Sequence, residues 1–510
     1  MVNLSKHIKV NALRQEGYQL FQDGLIELSR IEANGIRIDV PRLQQTKIDI
    51  KEKIRTLREE LEQEEPWKIW RKLYGSKTNI TSRDQLERVL HKEMGYEVLT
   101  RTATGRAQMN EEALQEIGLP FTKKLIRLFK YEKAYGTYLK GIEREIVGGR
   151  IHPSFNLHLA RSFRSSCNDP NFQNMPIRDK EVSELVRGHI ISSPGNAIVE
   201  NDFRGLEVFI SAAYHADPVF IKYIKGVNGE DMHKDMAIQI YKLEKVWEKL
   251  DPKMAKDIRY GAKNRFVFPQ FYGDYYVACA RNCWEWIRQG KLKGSDGESL
   301  YKHLKRQGIS ELGECNPEER PRPGTFEAHM KAVEDDFWGR RFKVYNQWRR
   351  DWYSAYLEKG YFDLLSGFRV FGSFKKNAVV NYPVQGSAFH CLLWSLIRVN
   401  RLLRKHKMKS MIVGQIHDSL VSDVRTSELR DFLEIVEKVT TVDLKETWKW
   451  ITVPLEIEYE IAPEGANWFQ KKEIKTLNDK PGFKNGRFLH PKDPTRSTTD
   501  PIKFLKTLAI

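Results

Sequence analysis

The chain is 510 residues long and 40% hydrophobic, a length that predicts several subdomains around a shared cleft rather than one core. Its formal charge of +17 favours a polyanionic partner, because cations that neutralise phosphates release condensed counterions, although a basic soluble protein without such a partner has the same charge. No stretch reaches the roughly 18 consecutive apolar residues of a membrane span, and residues 1–10 lack a signal peptide's apolar run. These features exclude a membrane protein and predict an intracellular one.

Two long helices are predicted in the first third of the chain. Apolar residues recur mostly at three- and four-residue steps over 41–65, and a second helical stretch covers about 121–146. Long, charged, antiparallel helices suit an arm that grips a duplex backbone. A solvated helical hairpin with only a structural role explains this segment equally well.

An acidic residue follows a predicted buried strand in the middle of the chain. The apolar run over 197–199 predicts a strand over 197–200, Asp202 follows two residues later, and a helix is predicted over 205–214. A further helix is predicted over 256–272. Strand ends are positions from which a sheet can aim a carboxylate into a cleft.

The five cysteines form neither an even disulfide framework nor a paired Cys-x2-Cys zinc spacing. Cys279 and Cys283 are one helical turn apart. They are predicted to be half-buried small residues in a reducing compartment.

Two segments have polar, turn-rich or basic compositions that set them apart. Residues 290–324 contain glycine and proline clusters, which predict an insertion or a mobile loop. Residues 471–510 hold ten Lys or Arg against four Asp or Glu and too few apolar residues for a core of their own. This tail is interpreted as a basic extension that recruits a partner or adds DNA affinity, or as a disordered, solvated one.

A second acidic residue lies at a predicted hairpin turn. Apolar segments at 411–416 and 420–424 flank His417, Asp418 and Ser419, so the acid lies where the chain reverses. The sequence therefore predicts two carboxylates that a folded sheet can bring to one cleft.

Asp202 and Asp418, with Arg259 and Lys263 between them, have the residue types that nucleotidyl transfer needs. Such a site holds two divalent metals against a triphosphate and a primer hydroxyl, so it requires carboxylates on rigid strand ends and cations on a facing element. Arg259 and Lys263 are one turn apart and share a helix face, as clamping a triphosphate requires.

Several motifs, in order, resemble the polymerase region of family A DNA polymerases, the bacterial DNA polymerase I type, over about residues 20–470. Residues 164–176 (RSSCNDPNFQNMP) are similar to the family's R-L-S-S-x-D-P-N-L-Q-N-x-P, and residues 381–386 (NYPVQG) to N-x-P-x-Q-G. Residues 202–209 (DFRGLEVF) resemble D-Y-S-Q-I-E-L-R, and residues 417–419 (HDS) resemble H-D-E. Each motif alone is a weak signal, but the occurrence of several motifs in the same order as in the family argues against coincidence.

This resemblance implies an α+β fold of right-hand polymerase shape, with an antiparallel palm sheet, helical fingers and a helical thumb. The implied divisions are an N-terminal segment leading into the palm at 1–40, the thumb at 41–150, the palm with the first acidic motif at 151–220, the fingers at 221–350 with a polar insertion at about 290–324, the palm with the second acidic motif at 351–470, and a basic C-terminal extension at 471–510.

The resemblance also implies roles for the acidic motifs. Asp202 and Asp418, with the main-chain carbonyl of Phe203, are the expected ligands of two Mg²⁺ ions, for which Mn²⁺ can substitute. Ser419 stands where the family has Glu, so phosphate oxygens and water are expected to complete the octahedral coordination. Glu207 matches the acidic residue that lies under the sugar and obstructs a ribose 2′-hydroxyl.

Further residues match nucleotide-binding and DNA-binding positions. Arg259 and Lys263 are implied to bind the triphosphate, with Lys263 also stabilising, and able to protonate, the leaving group. The nucleotide site is further implied to include His233 and Tyr272. The implied DNA contacts are made by Arg164, Asn381, Gln385 and His417.

One position in the family's helix pattern R-x3-K-x3-F-x3-Y-G is open. Counting back from Tyr272 places Phe268 at the aromatic position, yet it follows Lys263 by five residues instead of four. A π-bulge that absorbs one residue restores the shared face, and Pro269 favours it because a proline removes a helical hydrogen bond. Val267 is the alternative occupant of the position.

The predicted function is a DNA-dependent DNA polymerase that adds dNTPs to the 3′-hydroxyl of primer–template DNA by two-metal-ion catalysis. Two other classes stay open: a non-catalytic nucleic-acid-binding protein on the same fold, and an RNA polymerase or reverse transcriptase that shares the palm. The match begins within the first 20–40 residues, which leaves no room for an exonuclease domain of roughly 150–200 residues. Any proofreading is therefore expected from a separate exonuclease or replisome protein, and a phage origin with a host-cytoplasmic location fits this expectation.

Overall fold

An antiparallel sheet of five strands runs through the main hydrophobic core of the computed structural model, which describes residues 15–98, 105–226, 230–288, 293, 297–474, 488–490 and 493–508. The strands are β1 (Asn196–Phe203), β2 (Met411–Ile416), β3 (Ser419–Arg425), β4 (Ile457–Ala462) and β5 (Lys472–Ile474). Their order is β5-β4-β1-β3-β2, and all neighbours are antiparallel. The predicted buried strand before Asp202 and the predicted hairpin around Asp418 are confirmed.

Strand β1 lies in the middle of this sheet because its residues 197–199 are apolar and fully buried between two neighbours. It pairs with β3 on one side and with β4 on the other, so Asp202 lies opposite both Ser419 and Glu458. The predicted helix after Asp202 is also present, as Leu206–His215. The end of β1 is therefore fixed by hydrogen bonds on both sides.

A second hydrophobic core lies among the helices of the 40–144 region. Val40–Gln63 packs along a continuous helix made of Pro120–Lys133, a π-helical turn at Ala134–Leu139, and Lys140–Arg144. Salt bridges join Lys47 to Glu143 near one end of this pair and Lys124 to Glu64 near the other. This reversed pairing confirms that the two predicted helices are antiparallel.

Most other described elements are helices that surround the sheet or the second core. None of the described helices is long and apolar enough to cross a membrane. Further α-helices are Gln15–Asn34, Glu65–Tyr74, Arg83–Glu87, Glu111–Ile117, Lys180–Arg187, Pro218–Lys225, Met232–Tyr241, Pro252–Ala262, Phe268–Phe271, Tyr276–Arg288, Phe326–Asp336, Lys343–Lys359, Lys376–Lys405, Leu429–Glu437 and Leu444–Thr447. Short strands form one three-stranded sheet (Ile36–Arg37, Ile146–Val147, Arg150–Ile151) and the pairs Ser154–Asn156 with Ser166–Asn168, Tyr361–Asp363 with Arg369–Phe371, and Phe488–His490 with Asp493–Thr498.

The polar segment predicted as an insertion or mobile loop at 290–324 contains a packed helix, Leu300–Arg306. Leu300 and Leu304 are buried against the main core, and the Ser299 side chain caps the helix by accepting from Lys302 N. The loop prediction is wrong for this part of the segment, because one apolar pair four residues apart suffices to attach a short helix. Residues 289–292 and 294–296 lie outside the described residues.

The C-terminal extension packs on the main core instead of being a fully solvated tail. Strand β5 joins the edge of the sheet, and the helix Pro501–Leu508 buries Phe504 and Leu505 in the main core. The prediction that the tail has no core of its own is consistent with this packing. The prediction of a disordered, solvated extension is wrong for the described parts, because Phe504 and Leu505 pack against the main core.

All five cysteines are free and buried. Cys279 and Cys283 are 0% exposed, so the prediction that they are half-buried is wrong. They lie on the inner face of Tyr276–Arg288, where burial raises the pKa of both thiols.

Candidate active site

The sheet brings Asp202 and Asp418 together at one end of β1. Asp202 is the penultimate residue of β1, and Asp418 lies in the turn between β2 and β3. The Asp418 carbonyl accepts a hydrogen bond from Phe203 N at 3.1 Å, so the turn is tied to the strand that carries the other acid. Both aspartates line an open cleft of about 760 Å³. The two aspartates, which are 216 positions apart in the sequence, thus share one cleft as predicted.

Both acids sit in surroundings that disfavour their charge. Burial, together with the charges of Asp418, Glu200 and Glu458, raises the pKa of Asp202 to about 7, and Lys471 opposes this rise. Burial and the Glu207 charge raise the pKa of Asp418 to about 6, and Arg164 opposes it. Desolvated carboxylates close to like charges become more stable when a cation binds between them.

The turn that carries Asp418 has an unusual backbone at His417, whose φ is +51°. Gln415 Nε2 donates to the His417 carbonyl at 2.7 Å, and strand pairing on either side holds the reversal in place. The His417 side chain is exposed at the mouth of the cleft, and partial burial and the Arg164 charge lower its pKa. His417 directly precedes Asp418 in this turn, and its implied contact with DNA stays a prediction.

Glu207 connects three elements across a second, smaller cavity of about 190 Å³. Its Oε1 lies 3.1 Å from Arg164 Nη1, and its Oε2 accepts from Tyr272 Oη at 2.6 Å. The helix that carries it, Leu206–His215, is capped at its N-terminus by Gly205, where the family pattern has Gln and where the backbone φ of +60° suits glycine. Burial, followed by the nearby Glu207 charge, raises the pKa of Tyr272.

The predicted helix over 256–272 is continuous from 252 to 271 and contains a π-helical turn at Lys263–Val267. Pro269 explains the turn, because it offers no N–H to the Arg265 carbonyl four residues earlier. The predicted π-bulge is confirmed.

The extra residue in this turn separates the two candidates for the aromatic position. Val267 is 0% exposed in the main core, whereas Phe268 lines the same cavity as Glu207 and Asp418. Lys263 Nζ lies 4.9 Å from the Phe268 ring centroid, so both side chains are on one side of the helix. The geometry therefore favours Phe268 over Val267.

The two cations of this helix differ in their contacts: Arg259 is paired with a carboxylate, whereas Lys263 lies over the Phe268 ring. Arg259 Nε donates to Asp231 Oδ2 at 2.5 Å, and Asp231 also caps the Met232–Tyr241 helix by accepting from His233 N and Lys234 N. Burial alone would raise the pKa of Asp231, but these hydrogen bonds hold it below its ordinary value. Burial and the Arg259 charge lower the pKa of Lys263. A ligand that binds Arg259 therefore meets a guanidinium whose Nε is already bonded to Asp231.

His233 stands beside this cationic group at the first turn of its helix. Its ring meets Phe268 edge-on at 5.9 Å between centroids. Burial, with the charges of Arg259 and Lys263, lowers the pKa of His233 to about 4, so the ring is neutral at pH 7. Its Nδ1 is buried without a hydrogen-bond partner in the structure.

The Lys376–Lys405 helix supplies the far wall of the cavity through Asn381 and Gln385. Asn381 Nδ2 donates to the Tyr272 carbonyl at 3.1 Å, which joins this wall to the end of the 252–271 helix. Of the residues predicted for the site, the cleft is lined by Asp202, Asp418 and His417, and the cavity by Asp418, Glu207, Phe268, Tyr272, Asn381 and Gln385. Arg164 contacts Glu207, and both Lys263 and His233 contact Phe268. Arg259 and Phe203 line neither space.

The sequence interpretation missed an ion cluster behind Asp202. Lys471 Nζ lies 2.5 Å from both Glu200 Oε2 and Glu460 Oε2, and Glu458 lies directly opposite Asp202. The alternation Glu456-Ile457-Glu458-Tyr459-Glu460 was the available signal, because it predicts a strand with one acidic face. Across the described residues, no group of three or more His, Cys, Asp or Glu side chains converges as a metal site.

Comparisons with known proteins match this architecture. The model for the family described as DNA polymerase family A matches residues 43–273 and 353–470, more than half of the chain. DNA polymerase I of Lactococcus lactis subsp. cremoris is 24% identical over 453 residues, covering 87% of this chain and 45% of the relative. The thermostable DNA polymerase I of Thermus thermophilus is 26% identical over 467 residues, covering 88% and 47%. The chain thus spans about half the length of these relatives.

A solved structure, the polymerase domain of Pol1 from M. smegmatis in complex with DNA primer–template and dNTP, superposes with a TM-score of 0.65. It is 22% identical, and the match covers 88% of this chain and 70% of that one. The fold is accordingly α+β of the right-hand polymerase type, as predicted.

Proposed function

The chain belongs to DNA polymerase family A, and from that premise we propose that it adds dNTPs to the 3′-hydroxyl of a primer paired to a DNA template. The observation that carries this proposal is the convergence of Asp202 and Asp418 on a cleft whose adjoining cavity is lined by Phe268 and Glu207. A carboxylate pair on rigid strand ends, facing a helix with two cations, is the arrangement that phosphoryl transfer requires.

Within this proposal the hand divides as the motifs predict. The palm is residues 151–220 and 351–470, the fingers are 221–350 and the thumb is 41–150. A separate hydrophobic core over residues 61–128 supports a thumb whose far part moves relative to the palm, while Leu43, Ile50 and Ile142 attach its near part to the main core. The net charge of +17 supports sequence-independent contact with a phosphate backbone.

Asp202 and Asp418, with the Phe203 carbonyl, would hold the two Mg²⁺ ions, or Mn²⁺ in their place. They fit because hard oxygen donors suit these cations and because the acid pair is desolvated among further carboxylates. When bound, the ions lower the pKa of the primer hydroxyl and neutralise the triphosphate and leaving pyrophosphate. With two side-chain ligands, the site leaves coordination positions for phosphate oxygens and water.

Arg259 and Lys263 bind the triphosphate from the other side of the cleft. The Lys263 ammonium stabilises the charge that develops on the leaving pyrophosphate, and its lowered pKa brings Nζ closer to donating a proton there. Neutral His233 can donate one hydrogen bond to a phosphate oxygen without adding charge. Release of Arg259 from Asp231 accompanies nucleotide binding.

Glu207 selects the sugar, because its carboxylate is held in place by two hydrogen-bonding partners beside the cavity. A side chain fixed in this way cannot move aside for a ribose 2′-hydroxyl. Tyr272 stacks near the template base. Arg164, Asn381, Gln385 and His417 contact duplex atoms that all base pairs share, and thus position DNA without reading its sequence.

Primer extension on DNA and RNA templates, with dNTPs or rNTPs, tests the proposal. Extension of a DNA primer on DNA with dNTPs is expected, and Glu207→Ala is expected to raise ribonucleotide incorporation. Preference for rNTPs would indicate an RNA polymerase, and preference for RNA templates a reverse transcriptase. Tight duplex binding without extension would indicate a nucleic-acid-binding protein on the same fold.

A further inference from the structure

Lys471 is a buried cation on the face of the sheet that carries Asp202. Its side chain is 8% exposed, and Nζ lies 2.5 Å from both Glu200 Oε2 and Glu460 Oε2. Glu200 precedes Asp202 by two residues in β1, so both project from the same face, and Glu460 lies directly opposite Glu200 in β4. The ammonium is therefore placed between two carboxylates that neighbour the acid pair.

The ion cluster is held firmly in this place. Trp468, which is 0% exposed, donates from Nε1 to Glu200 Oε2 at 2.8 Å. The Lys471 ammonium also lies 5.9 Å from the centroid of the Trp468 ring, and Ser419 Oγ lies 3.5 Å from Glu200 Oε1. Glu200 thus keeps one orientation, with an oxygen committed to the indole and the ammonium.

Four carboxylates share this face of the sheet with one lysine. Asp202, Glu200, Glu458 and Glu460 lie on adjoining registers of β1 and β4. Of the charges that act on Asp202, Lys471 is the one that counters the carboxylates. Carboxylates this close together attract a divalent cation unless a protein cation neutralises them.

We propose that Lys471 is a positioning residue that serves as a fixed counter-cation for Glu200 and Glu460, so that divalent ions bind at Asp202 and Asp418 and not at the neighbouring carboxylates. This inference rests on the proposed function, in which the aspartate pair holds the metal ions. The competing explanation is mechanical: Lys471 directly precedes β5, and its salt bridges fasten that edge strand to the sheet.

Mn²⁺ binding to the full chain without DNA or nucleotide, measured by calorimetry and electron paramagnetic resonance, separates the two explanations. Lys471→Met keeps the aliphatic stem and removes the charge, and it is expected to bind one more Mn²⁺ per chain than the wild type. Lys471→Arg is expected to bind the wild-type number. Lys124→Met is the control for loss of a bridging lysine charge, because Lys124 also bridges two glutamates, Glu60 and Glu64, on the partly exposed surface of the 40–144 helices.

Glu460→Gln provides a second test with the opposite sign. Its side chain is 41% exposed, so the variant should fold, and it leaves the Lys471 charge less neutralised. Its Mn²⁺ affinity is expected to fall roughly threefold or more, because a net positive charge is added beside the acid pair.

The mechanical explanation predicts lower melting temperatures and unchanged Mn²⁺ binding, and that result overturns the inference. If Lys471→Met fails to fold, an unchanged Mn²⁺ affinity in Glu460→Gln overturns it as well. Failure of the proposed function gives a different result: Asp202→Ala then binds as much Mn²⁺ as the wild type.

Discussion

The acidic and basic sides of the cleft are built in different ways. Asp202 and Asp418 are fixed by strand pairing and by the bond from Phe203 N to the Asp418 carbonyl, and they share a shortage of positive charge. Arg259, on the facing helix, already has a partner in Asp231. If the proposed function holds, the acidic side needs only a cation, whereas we expect Arg259 on the basic side to exchange Asp231 for the triphosphate.

This difference predicts different penalties for mutations on the two sides. A preorganised group contributes its full effect in the transition state because nothing has to reorganise. A group that first breaks an ion pair gives up part of its binding energy, so its removal costs less.

Asp202→Ala and Asp418→Ala are expected to have the largest effect, a loss of extension rate of roughly a thousandfold or more, equivalent to about 4 kcal/mol of barrier. Single-turnover extension of a labelled primer measures it. Duplex affinity should stay close to that of the wild type, because the basic surfaces are untouched. Near-wild-type extension by either variant contradicts the assignment of the acidic side.

Lys263→Ala is expected to lower kcat by roughly a hundredfold, through loss of charge stabilisation at the leaving group. Arg259→Ala should act mainly on KM for the nucleotide and by a smaller factor, since Asp231 already occupies that guanidinium. Arg265→Ala is the control, because Arg265 on the same helix lies over the Trp286 ring at 4.8 Å, away from the cavity. A larger effect for Arg259 than for Lys263 contradicts the ranking.

Phe268→Tyr tests the register that the π-helical turn creates. A hydroxyl at this position is expected to relax discrimination against dideoxynucleotides roughly tenfold, measured by competition between dNTP and ddNTP. Val267→Tyr should leave selectivity unchanged and cost about 1–3 kcal/mol of stability, because Val267 is buried in the core. Relaxed selectivity in Val267→Tyr instead would establish the alternative register.

The smallest expected effect is on stability as a function of pH. The folded-state pKa values of about 7 for Asp202 and about 6 for Asp418 exceed those of an unfolded chain, so the folded protein binds protons more tightly. Without metal, the resulting stability is present below pH 4 and is lost as pH rises through 6 and 7.

Metal-free melting temperatures from pH 4 to pH 8 measure this change. They should fall by a few degrees more for the wild type than for Asp202→Asn, and added Mg²⁺ should reverse the loss at high pH. Parallel curves for the two proteins would show that Asp202 is not desolvated as described.

Local signals predicted the elements that carry the two aspartates and the cations, whereas the remaining site residues were implied by the family resemblance. The strand before Asp202, the hairpin at Asp418 and the 252–271 helix all follow from apolar periodicity and turn residues. The π-helical turn followed from the five-residue spacing between Lys263 and Phe268 and from Pro269, which has no N–H to donate to the Arg265 carbonyl.

The rest could not be read locally because it depends on pairing between distant strands. Lys471 meets Glu200 across 271 positions, a contact that only the order of strands in the sheet creates. The Arg259–Asp231 bond likewise depends on how two helices pack. The Leu300–Arg306 helix carries one buried leucine pair, too short a pattern to outweigh its polar surroundings.

Anomalous diffraction from a complex with Mn²⁺, a 3′-deoxy-terminated primer on its template and the matching dNTP tests the central claim most directly. The expected result is Mn²⁺ density at the carboxylates of Asp202 and Asp418, with the triphosphate bound by Lys263 and by an Arg259 released from Asp231. Mn²⁺ density away from both aspartates, or a triphosphate that leaves the Arg259–Asp231 pair intact, would contradict the account of the two sides.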